Sequence, residues 1–170
     1  MKLHNNNIAL YSLLIALSLT LSFFEGYIPI PLPGVKLGLA NIITLFSLYT
    51  LGSIPSAIIL LCRCILASFF SGNIISLLFS VSGGTCALAI MLIFKCFQAF
   101  SIYGISIAGA AAHSVGQILI ACILFSSVTA IYYLPALLIS SLITGTITAF
   151  ISEIMLSRLK NLYKNQNFRL

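Results

Sequence analysis

The sequence predicts an all-α integral membrane protein, a six-transmembrane-helix bundle with both termini cytoplasmic. Three observations predict it. Of 170 residues, 61% are hydrophobic and 6% are charged, whereas soluble domains carry about 25% charged residues. Apolar runs approaching the roughly 20 residues that cross a bilayer as a helix follow one another along the chain, separated by short breaks of Gly, Pro, Ser and Asn. Six such spans with their links use the whole length. That leaves one polytopic membrane domain, residues 1–170, and excludes a soluble globular enzyme.

The first span runs from about residue 8 to 24 and stops at Glu25-Gly26. It could be mistaken for a signal peptide, but its start is weakly basic, no A-x-A site follows it and further spans come after. An outer loop, 26–38, follows. Its prolines, Pro29, Pro31 and Pro33, remove backbone donors and forbid helix, so the loop is predicted to be extended. The second span, about 39–51, is short for a bilayer and ends at Gly52-Ser53. The third, about 54–70, opens with Pro55 in its first turn, where a helix tolerates proline. After the Ser71-Gly72-Asn73 turn, the fourth covers about 74–94, with an interruption predicted at Ser82-Gly83-Gly84-Thr85. The fifth is predicted over about 105–128 and the sixth, after Tyr132-Tyr133 and Pro135, over about 136–156. Pro55 and Pro135 each open the third span of a half, as an inverted repeat would place them, although two prolines at helix starts need no repeat.

Charge sets the orientation. The net charge is +6, and four of the eight cations (Arg158, Lys160, Lys164, Arg169) fall in the last 13 residues. They suit a tail facing anionic head groups rather than nucleic acid. With the N-terminus inside, the cytoplasmic side carries Lys2, Lys95 and those four, while Lys36 stands alone outside, a strong positive-inside bias. Five cysteines (Cys62, Cys64, Cys86, Cys96, Cys122) lie in or beside apolar runs without C-x-x-C spacing, and read as buried thiols rather than a metal or redox set.

Few side chains could carry chemistry. Arg63 lies about ten residues into the third span, a rise of about 15 Å, where a charge is costly and faces the bundle or a wet cavity. It could hold a ligand or form an ion pair with Glu25, and both could hold together. Lys36 and Asn41, with the free amides at the start of the second helix, could hold an anionic or carbonyl group; Lys36 could equally be an interfacial lysine reaching toward head groups. His113 and Gln117 are four apart on one face of the fifth helix, either an interhelical clamp or pocket wall. Asn73 reads as an N-cap and Glu153 as a partner of nearby cations. Small residues recur every four positions (Ser12, Ala16, Thr20; Ala108, Ala112, Gly116; Ser141, Gly145, Ala149), which lets helices approach closely inside the bundle or at a partner subunit. No catalytic residue, metal site or cofactor is predicted. The chain has no aspartate, its two glutamates fall near opposite membrane faces, and no P-loop is present, so magnesium-held diphosphate chemistry and ATP hydrolysis are both unsupported.

The string Pro33-Gly34-Val35-Lys36-Leu37-Gly38-Leu39-Ala40-Asn41-Ile42-Ile43-Thr44-Leu45 resembles the signature of bacterial membrane proteins known both as Gx transporters and as heptaprenyl diphosphate synthase component I. Phe70-Ser71-Gly72-Asn73 with Leu77-Leu78-Phe79-Ser80 and Gly83-Gly84, and Gly109-Ala110-Ala111-Ala112-His113-Ser114-Val115-Gly116-Gln117, are similar to two further strings of that family. The family in turn resembles the substrate-binding S components of energy-coupling factor (ECF) transporters. That resemblance implies a multi-pass protein of the bacterial plasma membrane. It would capture a small molecule, anionic or an isoprenoid or quinone precursor, under the outer loop. Lys36, Asn41, Arg63, His113 and Gln117 would line the pocket, and Ser12, Ala16 and Thr20 would dock a transmembrane coupling subunit that works with ATPases. The alternative name implies a non-catalytic membrane subunit of an isoprenoid-synthesising enzyme, since prenyl diphosphate synthases carry aspartate-rich magnesium motifs. A third reading is a packing or scaffolding subunit without a ligand.

Overall fold

The computed structural model describes residues 2–28, 36–97, 99–125 and 128–166. Prolines 29, 31 and 33 of the predicted loop, and Arg169 of the basic tail, lie outside the described residues. Among those described, all regular structure is helical: α1 Lys2–Gly26, α2 Asn41–Thr50, α3 Ser53–Ser71, α4 Ile74–Cys96, α5 Ile102–Leu124, a 3-10 segment Val128–Tyr133, and α6 Leu134–Gln166. Five of these helices are long and apolar enough to cross a bilayer, which makes this a multi-pass membrane protein.

α2 is the exception. Its ten residues extend about 15 Å, half the roughly 30 Å of a hydrocarbon core. Asn41 through Leu48 are all buried, because α2 packs against α1, α3, α4 and α6 at once. The long helices follow one another as α1–α3–α4–α5–α6, and α2 plugs the middle of that arc. It ends where α4 ends, since Lys95 Nζ donates to the Leu48 carbonyl at 2.7 Å and lies 4.9 Å over the Tyr49 ring. A cation at a helix C-terminus meets the negative end of the dipole and satisfies an orphan carbonyl. α1 and α3 finish together at the opposite end, where the Phe23 and Phe70 rings lie 6.2 Å apart.

Several boundaries depart from the sequence prediction. α4 runs unbroken through Ser82-Gly83-Gly84-Thr85. The glycines serve close packing: a Cβ on Gly83 would meet His113 Cε1 at 2.9 Å, and one on Gly84 would meet Leu60 Cδ1 at 3.1 Å. α5 stops at Leu124, ahead of a 3-10 segment that the apolar run concealed. α6 continues beyond residue 156 into the basic tail, to Gln166, since nothing in that stretch breaks a helix. Asn73 caps α4, its Oδ1 accepting from the Ile75 and Ser76 amides at 3.0 and 3.3 Å.

The small-residue ladders divide. On α5 and α6 they form tight seams: a Cβ on Gly116 would fall 2.8 Å from the Ser82 carbonyl oxygen, and one on Gly145 would fall 2.7 Å from Ile107 Cα. Serine hydroxyls bind across both seams, Ser82 Oγ to the Gly116 carbonyl and Ser106 Oγ to the Gly145 carbonyl, each at 2.7 Å. Ser12, Ala16 and Thr20 of α1 are instead exposed, while Leu14, Ser18, Ser22 and Glu25 form that helix's buried face. The cysteines are free and only Cys64 is fully buried; Cys96 is exposed, so the expectation of five buried thiols does not hold. Glu153 pairs with no cation among the described residues and accepts from the Tyr103 hydroxyl at 2.8 Å.

Candidate functional site

The chain re-enters the bundle before α2. Residues 36–40 are non-helical backbone, and at membrane depth such backbone survives only where protein groups satisfy it. Two side chains do so. The Gln117 carboxamide, oriented by its hydrogen-bond network, donates to the Lys36 carbonyl at 2.9 Å and accepts from the Lys36 amide at 3.0 Å. It thus holds that residue's backbone as a neighbouring strand would, and its oxygen also accepts from His113 Nε2 at 3.1 Å. From the other side, Glu25 Oε1 accepts from the Leu39 amide at 2.6 Å. A carboxylate in front of a helix start suits the positive end of the α2 dipole. Gly38 sits between these grips at φ +88, where a side chain would be strained and a Cβ would also come 2.9 Å from Asn41 Nδ2 and 3.4 Å from His113 Cδ2.

The α2 N-terminus does not offer the free amides expected from sequence. The Asn41, Ile42 and Ile43 amides donate to the carbonyls of Gly38, Leu39 and Ala40 at 2.9, 3.0 and 3.3 Å. The tight turn satisfies its own donors, and Glu25 takes the Leu39 amide ahead of them.

Arg63 is 3% exposed in the middle of α3. Its Nη1 donates to Ser22 Oγ at 3.0 Å, while Nε and Nη2 have no hydrogen-bond partner. No contact of ion-pair length joins Arg63 to Glu25 among the described residues; the two act on each other at longer range, and Lys36 lies within electrostatic reach of both. The Lys36 side chain is partly buried, and that burial holds its ammonium below the usual lysine range, with Glu25 opposing the shift and Arg63 adding to it. Asn41 is 1% exposed with neither amide atom partnered. His113 is 2% exposed; its Nδ1 lies against the backbone of Gly83 and makes no hydrogen bond of acceptable geometry.

The structure therefore gathers Lys36, Asn41, Arg63, His113 and Gln117 around one turn of re-entrant backbone, with Glu25 beside them. Ser12, Ala16 and Thr20 lie elsewhere, on the outward face of α1. Sequence reading gives no site role to Ser22, Gly38 or Gly83. Ser22 was within reach of a face argument, because it lies three residues before Glu25 on the same side of α1. Gly38 and Gly83 stand in the family-like strings, but their role at the site depends on what packs against them.

Residues 14–155 match the family model of heptaprenyl diphosphate synthase component I. The chain belongs to that family. The component I match takes in every helix contributing to the polar cluster, from the buried face of α1 to α5. No curated protein and no solved structure matches the chain.

Proposed function

We propose that the protein is the non-catalytic membrane component of a heptaprenyl diphosphate synthase in a bacterial plasma membrane, working beside a separate subunit that carries the metal-dependent chemistry. The family match over residues 14–155 carries this reading. The residues are compatible with it: the chain has two glutamates and no aspartate. One glutamate is engaged by the backbone before α2 and the other by Tyr103, so neither is disposed to hold magnesium for diphosphate chemistry. The basic residues favour cytoplasmic N- and C-termini, the side on which a soluble synthase would meet the protein. Co-expression of the tagged membrane protein with the catalytic subunit of a prenyl diphosphate synthase from the same genome tests the reading. Stable co-purification is the expected result, and its absence at native expression levels overturns it.

One observation favours a second reading, an S-component-like subunit that captures a small molecule for import. The polar residues around the Lys36–Asn41 turn include groups with unused hydrogen-bonding capacity, which a purely structural bundle has no need to bury. In this reading Lys36, Asn41, Arg63, His113 and Gln117 contact the ligand, and the exposed Ser12, Ala16 and Thr20 face docks a coupling subunit associated with ATPases. Recovery of ATPases in place of a synthase subunit in the same purification favours it. Bulky replacement at Ala16 should then abolish that association while leaving the fold intact.

A further inference from the structure

Among the described residues, the buried Arg63 guanidinium makes no contact of ion-pair length with an acid, and Glu25 acts on it only at longer range. Arg63 is 3% exposed, and its three nitrogens are used unequally: Nη1 donates to Ser22 Oγ, while Nε and Nη2 are unpartnered. Those two nitrogens form the side-on edge of the guanidinium, whose parallel N–H bonds match two oxygens of one carboxylate or phosphate group. Leaving that edge unused at membrane depth is costly. Only two acidic side chains exist in the sequence. Glu25 is committed to the Leu39 amide, and Glu153, on α6, is taken by Tyr103.

Charge counting narrows the occupant. Arg63 and Lys36 bring two positive charges and Glu25 one negative, all within mutual electrostatic reach. Counted at formal charges with histidine neutral, the cluster carries +1, which one single negative charge balances. A diphosphate would leave the same low-dielectric volume with an excess of negative charge. Asn41, 1% exposed with donor and acceptor both unused, lies beside Gly38, which also abuts His113, and is a second unsatisfied polar group in the cluster.

We propose that the Nε/Nη2 edge of Arg63 is the binding site for a singly charged oxyanion, either the carboxylate of a small acid or the phosphodiester of a lipid headgroup, with Asn41 as its second polar contact. This rests on reading the polar cluster as a ligand site and is independent of any association with a synthase subunit, so failed co-purification leaves it standing.

Thermal melting of the full chain in nanodiscs of uncharged lipid tests it. The probes are acetate, dimethyl phosphate and isopentenyl diphosphate, each compared with sodium chloride at matched ionic strength. Acetate, dimethyl phosphate or both should raise Tm by about 3–6 °C at ten times Kd, and which one does so distinguishes a free acid from a lipid headgroup. Arg63→Lys keeps the charge but lacks the side-on edge, and should lose the response. Asn41→Asp is nearly isosteric and cancels the net positive charge, so it should lose the response too, and it decides the matter if Arg63→Lys fails to fold. A Tm no different from that in chloride overturns the proposal. So does a response that survives in the folded variants, or a larger response to isopentenyl diphosphate than to either singly charged probe.

Discussion

Helices α2, α3, α4 and α5 build two adjoining regions of opposite character. Along one stretch they contribute Leu45 and Leu48, Leu60 and Cys64, Ala87, Leu88 and Met91, and Ile105, all buried in one apolar cluster. Along the other, the same helices bring in Asn41, Arg63, Gly83, and His113 with Gln117, where several buried polar atoms lack a partner. The apolar region is locked by shape: Met91 is fully buried and packs so closely on α5 that a Cβ at Gly109 would meet Met91 Cγ at 2.7 Å. The polar region is shaped by hydrogen bonds to re-entrant backbone and keeps capacity to spare. Tight apolar packing and unsatisfied polar groups thus occupy neighbouring turns of the same helices, so mutations in the two regions should move stability in opposite directions.

The apolar region should respond most strongly. Met91→Ala removes a side chain that fills the space between α4 and α5, and should cost about 2–5 kcal/mol, read as a fall in Tm or in the denaturant midpoint. Gly145→Ala comes next. Its new methyl would lie 2.7 Å from Ile107 Cα, and because backbone rather than a flexible side chain must yield, the cost should be about 1–3 kcal/mol. If both variants melt like the wild type, the apolar seams are not what holds the helices together, and the contrast fails.

The polar region should answer in the other sense. Asn41→Leu replaces a buried amide with two unpartnered atoms by an apolar group of similar size, and should stabilise the protein by about 1–2 kcal/mol while abolishing the response to singly charged anions. A fall in Tm comparable to that of Met91→Ala would instead make Asn41 a structural residue and merge the two regions into one core.

How far the sequence foretold this architecture follows from which residues act through their type and which through their neighbours. The long helices are legible because apolar runs separated by Gly, Pro and Asn mark each one, although the ends of α5 and α6 are not; the Asn73 cap needs only its own side chain and two amides. The half-length α2 was visible as a short span, but not as a buried plug, because burial on every side depends on four other helices. Arg63, His113 and Gln117 stood out through the rarity of such groups in apolar helices. That Gln117 would hold Lys36 by its backbone could not be read, because a backbone contact leaves no trace in residue identity. The Glu25 and Arg63 pairing was inferred from opposite charge, whereas the geometry gives each a nearer partner, the Leu39 amide and the Ser22 hydroxyl.

Lys36, which marks the boundary of the polar region, should give the weakest response. Burial lowers its pKa from 10.5, with Glu25 working against the shift and Arg63 with it, and Cys64 is the remaining group that acts on it. In the unfolded chain the ammonium titrates near about 10.4, so between the lowered folded value and that point the unfolded state binds more protons. Stability therefore rises with pH across that window and falls again as pH drops through the folded pKa. Lys36→Met removes the titrating group and leaves the residue 36 backbone contacts to Gln117 available. The wild type should accordingly gain Tm relative to Lys36→Met as pH is raised from neutrality toward about 10, with the other titrating groups common to both proteins. A difference that stays flat would place the Lys36 ammonium in solvent, outside the cluster. The charge count at Arg63 would then be neutral, and Glu25 alone would balance the guanidinium.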